Sequence, residues 1–384
     1  MLQKRLKLLA MGVMAMMLAG GCGGQSNSSE IRIGANMELT GGVASFGQAA
    51  FNGIKLAVKE VNANGGVLGK QLVLASADNK GEASEAVNAM TKLISQDKVK
   101  AVLGPIVSSD VIAAYKVAEE NKVSVITPTG TSAAITMAGG KVQDYAFRAC
   151  FIDPFQGIVM ANFATKSLNA KTAAIYIDNS SDYAKGLAEN FEKAFIANGG
   201  KIVSSEAYLS KDQDFKSTLT KIKATNPDVI FIPGYYQEVG LIVKQAREMG
   251  INGVLLGGDG WEAPQLVEIA GAAALNNCYY SNHYSPEDKD PMSVHFVEAY
   301  QKEYNQQPDS FAALGYDSVM MLVDAIKRAN SDDSVKIKEA LAATRNLQGV
   351  SGIISLNAQH DPVKSAVVLE LKDGKRVFRE KVNP

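Results

Sequence analysis

Five short segments carry hydroxyls, phenols and a carboxylate at places suited to holding a small charged molecule. In LGPIVSSDVIAAYKVAEE, residues 103–120, Ser108 and Ser109 stand where a short apolar strand gives way to a helix. Their hydroxyls and the unpaired N–H groups of the helix's first turn would face one spot, an arrangement that binds a carboxylate. Capping the helix is the simpler role for Ser109. ITPTGTSAAIT, residues 126–136, is a loop that Pro128 and Gly130 hold open around Thr129 and Thr131. IDNSSDYAKG brings Tyr183 to a helix start, and FIPGYYQEVG brings Tyr235 and Tyr236 to the end of a strand. Phenolic hydroxyls there can close onto a carboxylate while their rings exclude water. GGDGWEAP sets Asp259 in a Gly-flanked turn, where an acid neutralises an ammonium through a charge-assisted hydrogen bond. An aspartate serving only its turn is the alternative. Trp261, the one tryptophan, has equal claims as a wall of the site and as a structural side chain.

Catalytic patterns are missing from the same segments. The chain has no G-x-S-x-G elbow, H-E-x-x-H pair, P-loop, or G-x-G-x-x-G after a strand. His283, His295 and His360 are too scattered for a metal cluster, and a solvated or capping role is the default for each. Binding without catalysis, cofactor or metal is the expectation. A net charge of −1, with no basic cluster beyond the first residues, offers nothing to nucleic acid.

The elements that must position these loops alternate between strand and helix patterns. Ile31 to Met37 is a buried strand, Thr40 to Gly47 a Gly-rich loop, and Phe51, Ile54, Leu56, Val58 and Val61 share a helical face that Asn64-Gly65-Gly66 ends. Strands at Gln71–Ala75, Ala101–Gly104 and Val123–Thr127 alternate with helices near 82–96 and 109–121. A second series follows Asp153-Pro154, with strands at 173–178, 202–208, 229–233 and 254–256. Its helices are expected at Phe155–Ser167, Tyr183–Ala197, Phe215–Thr225 and Val239–Met249. Residues 292–344 read as mainly helical, and strands return at Ile353–Leu356, Ala366–Leu371 and Lys375–Val382. Such alternation predicts parallel sheets with helices on both faces, which bind ligands at the carboxyl ends of their strands. At 384 residues, two domains are expected.

The beginning of the chain indicates where it works. Lys4, Arg5 and Lys7 precede an apolar run, Leu8–Ala19, which is too short to span a membrane as a helix and ends in Gly20-Gly21-Cys22. The pattern resembles a bacterial lipoprotein signal, with Cys22 lipidated and Gly23–Ser29 a flexible tether. Ala19 stands where that signal usually has leucine, and ordinary signal-peptidase cleavage is the alternative. Cys150 and Cys278 remain, either bridged or, as the simpler reading, two buried free thiols.

GGVASFGQ, NGIKLAVKEVNANGG and LGKQL, within residues 41–72, resemble the start of the periplasmic amino-acid-binding proteins of the leucine/isoleucine/valine type, which feed ABC transporters. The resemblance runs through essentially the whole chain after the tether. It implies an α/β fold of the type I periplasmic binding kind, two doubly wound parallel-sheet lobes joined by a three-stranded hinge. Lobe I would comprise 31–152 plus 281–352, and lobe II 153–280 plus 353–384. Ser108 matches the family position that grips the ligand carboxylate. Thr129 matches the one whose carbonyl takes the ammonium, and Thr131 one that uses its N–H and hydroxyl. Phe46 matches an aromatic of the first loop, with Phe311 and Trp261 as further walls, and Asp153 resembles a hinge residue that holds the closed form. Asp259 replaces the glutamate usual in leucine-type receptors. A disulfide found beside the first loop in several members is absent, since Gly81 and Val107 occupy its positions. The implied partners are a free amino acid, an ABC permease and, through Cys22, a membrane, with the protein monomeric. A ligand-presenting lipoprotein for a sensor, or a carrier of amides or organic acids, stays open as an alternative.

Overall fold

A computed structural model describes residues 29–285, 287 and 289–383. The signal-like segment, Cys22 and most of the tether lie outside the described residues. Near-continuous apolar runs form the strands, as expected where a sheet is covered on both faces. Glu30–Met37 is buried almost throughout. It lies second in a five-stranded parallel sheet whose order is Gln71–Asp78, Glu30–Met37, Ala101–Leu103, Ser124–Thr127 and Ala146–Arg148.

The second sheet has seven strands. Lys201–Tyr208, Thr172–Asp178, Val229–Phe231, Val254–Gly257 and Cys278–Asn282 run parallel in that order. Ala366–Lys372 and Lys375–Val382 then join as an antiparallel hairpin. Its two-residue turn, Asp373-Gly374, has positive φ at both positions, 50° and 74°. That conformation matches the right-handed twist of paired strands, so the last two strands fold back tightly on each other.

The helices from 291 onward return to the first sheet through one close contact. Helix Ala44–Ala63 buries Phe46, Ala50, Ile54, Ala57 and Val61, the stripe that a 3.6-residue period places on one face. It lies against helix Ser310–Ala329, and Gly53 and Gly315 permit the approach. A Cβ on Gly53 would stand 1.9 Å from the Ala312 carbonyl oxygen, and one on Gly315 would stand 2.2 Å from that of Ala50. Either methyl would force the helices apart. The chain therefore passes between the two sheets three times: after Arg148, after Asn282, and between Ile354 and Ala366.

Three expectations change. Ser281 and Asn282, expected in the first lobe, belong to a strand of the second sheet. The strand expected at 353–356 is Gly352–Ile354, which pairs with Leu347–Gly349 in a separate small hairpin. Strands Ala146–Arg148 and Cys278–Asn282 were not anticipated, because neither run alternates and each is shorter than a helical turn pattern can exclude. Cys150 and Cys278 are free and buried, as the simpler reading had it. Burial pushes each thiol up to about 12.

Candidate functional site: a cleft between the two sheets

The loops that leave the carboxyl ends of both sheets converge on one small cavity of about 10 Å³. From the first side come Ile106, Val107 and Ser108 after strand Ala101–Leu103, and Thr129 and Thr131 after strand Ser124–Thr127. From the second come Tyr183, Tyr235, Asp259 and Gly260, each just beyond a strand or in the following turn. Phe46 and Phe311 complete the lining, brought together by the helix pair described above. Their rings stack at 4.2 Å with planes 1° apart. Tyr183 and Tyr235 stack at 5.2 Å on the other side, and Tyr235 meets Phe46 edge-on at 5.7 Å. The walls are aromatic and the ends polar.

At one end the polar groups are hydroxyls and backbone N–H groups. Ser108 and Thr131 are 1% exposed. Ser108 Oγ accepts from Ser132 N–H at 3.2 Å, which leaves its own proton to donate. Ser108 opens the helix Ser108–Glu120, whose first-turn N–H groups lack intrahelical partners. Thr129 Oγ1 donates to the Ile106 carbonyl at 3.0 Å, so its hydroxyl is occupied. Behind this end Glu38 accepts from Ile106 and Val107 N–H at 3.0 and 3.1 Å. Arg148 organises the threonine loop from beneath. Fully buried, it donates to the carbonyls of Gly130 at 2.7 Å and Ser132 at 2.9 Å and pairs with Asp361 at 2.8 Å.

The other end is acidic. Asp259, 3% exposed, holds Oδ2 at 2.9 Å from His283 Nε2, while Oδ1 has no protein partner. Its N–H donates to Gln156 Oε1 at 2.8 Å, and the N–H of Gly260 donates to the Tyr183 hydroxyl at 3.2 Å. Gly260 has no room for a side chain, because a Cβ would stand 2.7 Å from the Gly234 carbonyl oxygen. Burial raises the hydroxyls of Tyr183 and Tyr235 well above their ordinary range, so both remain donors. Burial also lowers His283, against the opposing pull of Asp259.

Eight of the expected residues thus line one cavity: Phe46, Ser108, Thr129, Thr131, Tyr183, Tyr235, Asp259 and Phe311. Three do not line it. Ser109 neither caps its helix nor faces the cavity. One residue on from Ser108, a helix has turned by about 100°, and Ser109 Oγ instead lies 3.2 Å from the Asp182 carboxylate on the opposite side of the cleft. Trp261 is 1% exposed and packs beneath Gly257, where a Cβ would stand 2.1 Å from its ring, and its Nε1–H donates to the Ile232 carbonyl at 3.0 Å. It packs in the core and does not line the cavity. Asp153 is fully buried behind the threonine loop, its N–H donating to the Thr131 carbonyl at 3.0 Å, and burial raises its carboxyl well above the usual range.

The histidine default fails at two positions. His283 is buried against Asp259, and His360 is buried with its ring stacked on Phe147 at 4.4 Å. His295 is exposed near Glu60. The sequence reading also missed Arg148, although an arginine inside the apolar run AFRAC is itself a signal, since a buried guanidinium must be paired.

A family model described as periplasmic binding protein matches residues 30–376. The Leu/Ile/Val-binding protein BraC3 of Rhizobium johnstonii is 32% identical over 334 residues, 87% of this chain and 89% of that one. The Leu/Ile/Val-binding protein homolog 3 of Brucella melitensis is 30% identical, over 92% of this chain and 94% of that one. Among solved structures, the leucine binding protein LivK of Thermotoga maritima superposes with a TM-score of 0.87 at 40% identity, covering 92% of this chain and 99% of that one. The branched-chain amino acid transporter substrate binding protein LivJ of Streptococcus pneumoniae, in complex with isoleucine, gives the same TM-score and identity and covers 92% and 100%. A two-sheet frame crossed three times, loops meeting at the carboxyl ends of both sheets, and a family match from residue 30 to 376 together show that the chain belongs to the periplasmic binding protein family.

Proposed function

We propose that the protein captures a small apolar α-amino acid, leucine, isoleucine or valine, between its two lobes and delivers it to an ABC permease. The observation that carries this reading is the pairing of opposite polar ends in one aromatic cavity. Asp259 Oδ1, buried and unpartnered, suits an ammonium, while the Ser108 hydroxyl and the helix start beside it suit a carboxylate. Both groups on one carbon would span the polar ends and leave the side chain to the rings of Phe46 and Phe311. The relatives agree: they are Leu/Ile/Val-binding proteins, and LivJ was solved with isoleucine. The lobes are taken as 31–152 with the helices of 291–342, and 153–282 with the last hairpin. Affinity arises from closure, which removes water from the charged groups.

The site works outside the cytoplasm, as periplasmic binding proteins do. We further propose that Cys22 is lipidated and anchors the mature chain, a monomer, to the membrane. Several acyl chains are needed, because a single one binds only marginally. Mass spectrometry should find an acylated Cys22 at the amino terminus, and an unmodified terminus beyond it would remove the anchor. Binding without catalysis follows from the same reading.

Leucine compared with leucinamide and isocaproate tests the ligand class by calorimetry. Each analogue lacks one charge and leaves polar groups of the closed site unpaired, at about 1–3 kcal/mol or more. Both should bind at least about tenfold more weakly than leucine. Equal binding of either would move the protein to a carrier of amides or of organic acids.

A further inference from the structure

Asp259 does not stand alone in its turn. It has one oxygen on a buried imidazole and one on none. His283 follows directly on strand Cys278–Asn282, where the chain leaves the second sheet, and its ring is fixed by stacking on Phe151 at 3.6 Å. Its side chain is 1% exposed and that of Asp259 is 5% exposed. The second ring nitrogen, Nδ1, is buried without a partner. A bare lone pair there costs less than an orphaned N–H, so the neutral ring carries its proton on Nε2, and that proton points at Asp259 Oδ2. The same strand reaches the turn a second time. Ser281 Oγ donates to Gln156 Oε1 at 2.7 Å, and that oxygen also takes the Asp259 N–H.

We propose that His283 is a positioning residue for ligand binding: its Nε2–H occupies Asp259 Oδ2 and fixes Oδ1 as the single acceptor for the ligand ammonium, so that discrimination for a cationic amine depends on an uncharged imidazole. The inference rests on the α-amino-acid reading above. It accounts for the aspartate in this turn, whose short side chain leaves room for a ring behind it.

The charge state of the pair gives the inference a second consequence. With His283 neutral, the pair carries the one negative charge that an ammonium needs. With His283 protonated, the pair is internally neutral and the ammonium loses its countercharge. The groups facing the ring are Asp259 and Glu262 from the turn and Lys364 from the hinge segment before the last hairpin, with Asp153 facing Asp259 from helix Asp153–Asn162. Burial lowers His283 from its ordinary 6.5, so the loss should begin only below that pH.

The test is calorimetry on the mature chain with leucine and isocaproate from pH 5 to pH 8, for the wild type, His283→Leu and His283→Gln. His283→Leu should lose at least about tenfold for leucine while isocaproate, which has no ammonium, changes less than about threefold. His283→Gln, which can place an amide N–H on the same oxygen, should restore leucine binding to within about threefold at pH 7.5 and bind less steeply with pH below 6.5 than the wild type. Equal losses for both ligands in His283→Leu would make the ring merely structural. Identical pH profiles in the wild type and His283→Gln would also overturn the inference, and that arm stands even if the leucine variant fails to fold. Wild type that binds no amino acid would instead refute the parent reading.

Discussion

Asp259 is the side chain on which the proposed site depends most, because nothing else in the cavity can balance a buried ammonium. Asp259→Asn keeps the shape and removes the charge. Truncating one partner of a desolvated charge pair costs roughly 2–5 kcal/mol, so leucine affinity should fall at least about thirtyfold by calorimetry. Phe46→Leu or Phe311→Leu, which trims a wall of the same cavity, should lose less. A loss below threefold in Asp259→Asn would take the residue out of the site. A second buried acid makes a different statement. Asp110 is raised to about 7 by burial, and Glu38 beside it is raised well above its ordinary range by burial and by Asp110, against the pull of the Ile106 and Val107 N–H groups. A carboxyl with a raised folded-state pKa keeps its proton in the fold and loses it when unfolded. Stability therefore falls as pH rises from the ordinary 3.8 to about 7, and stays reduced above that. Asp110→Asn should melt higher than the wild type at pH 8 and show a smaller fall between pH 4 and 7 in thermal scans. Glu38→Gln, which keeps an amide oxygen for the two buried N–H groups and cannot ionise, should likewise show a smaller fall in melting temperature as pH rises.

Closure depends on elements that belong to different sheets yet touch across the cleft. The turn that carries Asp259 also carries Glu262, whose Oε2 accepts the Ser310 N–H at 2.9 Å and the Ser310 hydroxyl, while Oε1 takes Arg376. Ser310 begins the helix Ser310–Ala329, and the next residue is Phe311. A carboxylate at a helix start is favourable electrostatically, and here it comes from the opposite side of the cleft. The contact thus joins the acidic end of the site to its aromatic wall. Ser310→Ala removes one of the two hydrogen bonds to Glu262 at about 1 kcal/mol, so leucine affinity should fall about fivefold. The thermal midpoint without ligand should move little, because no buried apolar contact is lost. A lowered midpoint with unchanged affinity would assign the contact to stability alone.

Two lobes joined by three crossings can rotate about them, which is the movement a cleft receptor requires. Small-angle scattering should show the mature chain becoming more compact on saturation with leucine, and Ser310→Ala should need a higher leucine concentration for the same change. A profile unaffected by leucine would remove closure from the mechanism. The cores support such a movement. Each sheet has its own helices, and the direct contacts across the cleft that surround the cavity are aromatic, Phe46 with Tyr235 and Tyr236, and polar, Ser109 with Asp182, Ser45 with Gln265, and Glu262 with Ser310. Polar contacts re-form with water when the cleft opens, at little net cost.

Most of the strand and helix order and the loops that bear Ser108, Thr129, Tyr183, Tyr235 and Asp259 were legible in the amino-acid sequence. Hydrophobic periodicity and turn residues act within a few positions, and a parallel sheet places such loops at one end. Resemblance to a known family, not periodicity, pointed to Phe46 and Asp153. What no local pattern carries is which way a side chain turns and what comes to meet it. Ser109 differs from Ser108 only by one helical step, yet it faces the rim. Trp261 was open between wall and core, and it packs beneath Gly257 with its N–H on the Ile232 carbonyl. From sequence alone His283 reads as solvated or capping, and Arg148 goes unnoticed. Their partners, Asp259 and Asp361, come from other elements of the fold. Those contacts exist because sheet order and close helix packing bring distant segments together, and burial then compels each charge or ring nitrogen to find whatever partner the packing supplies.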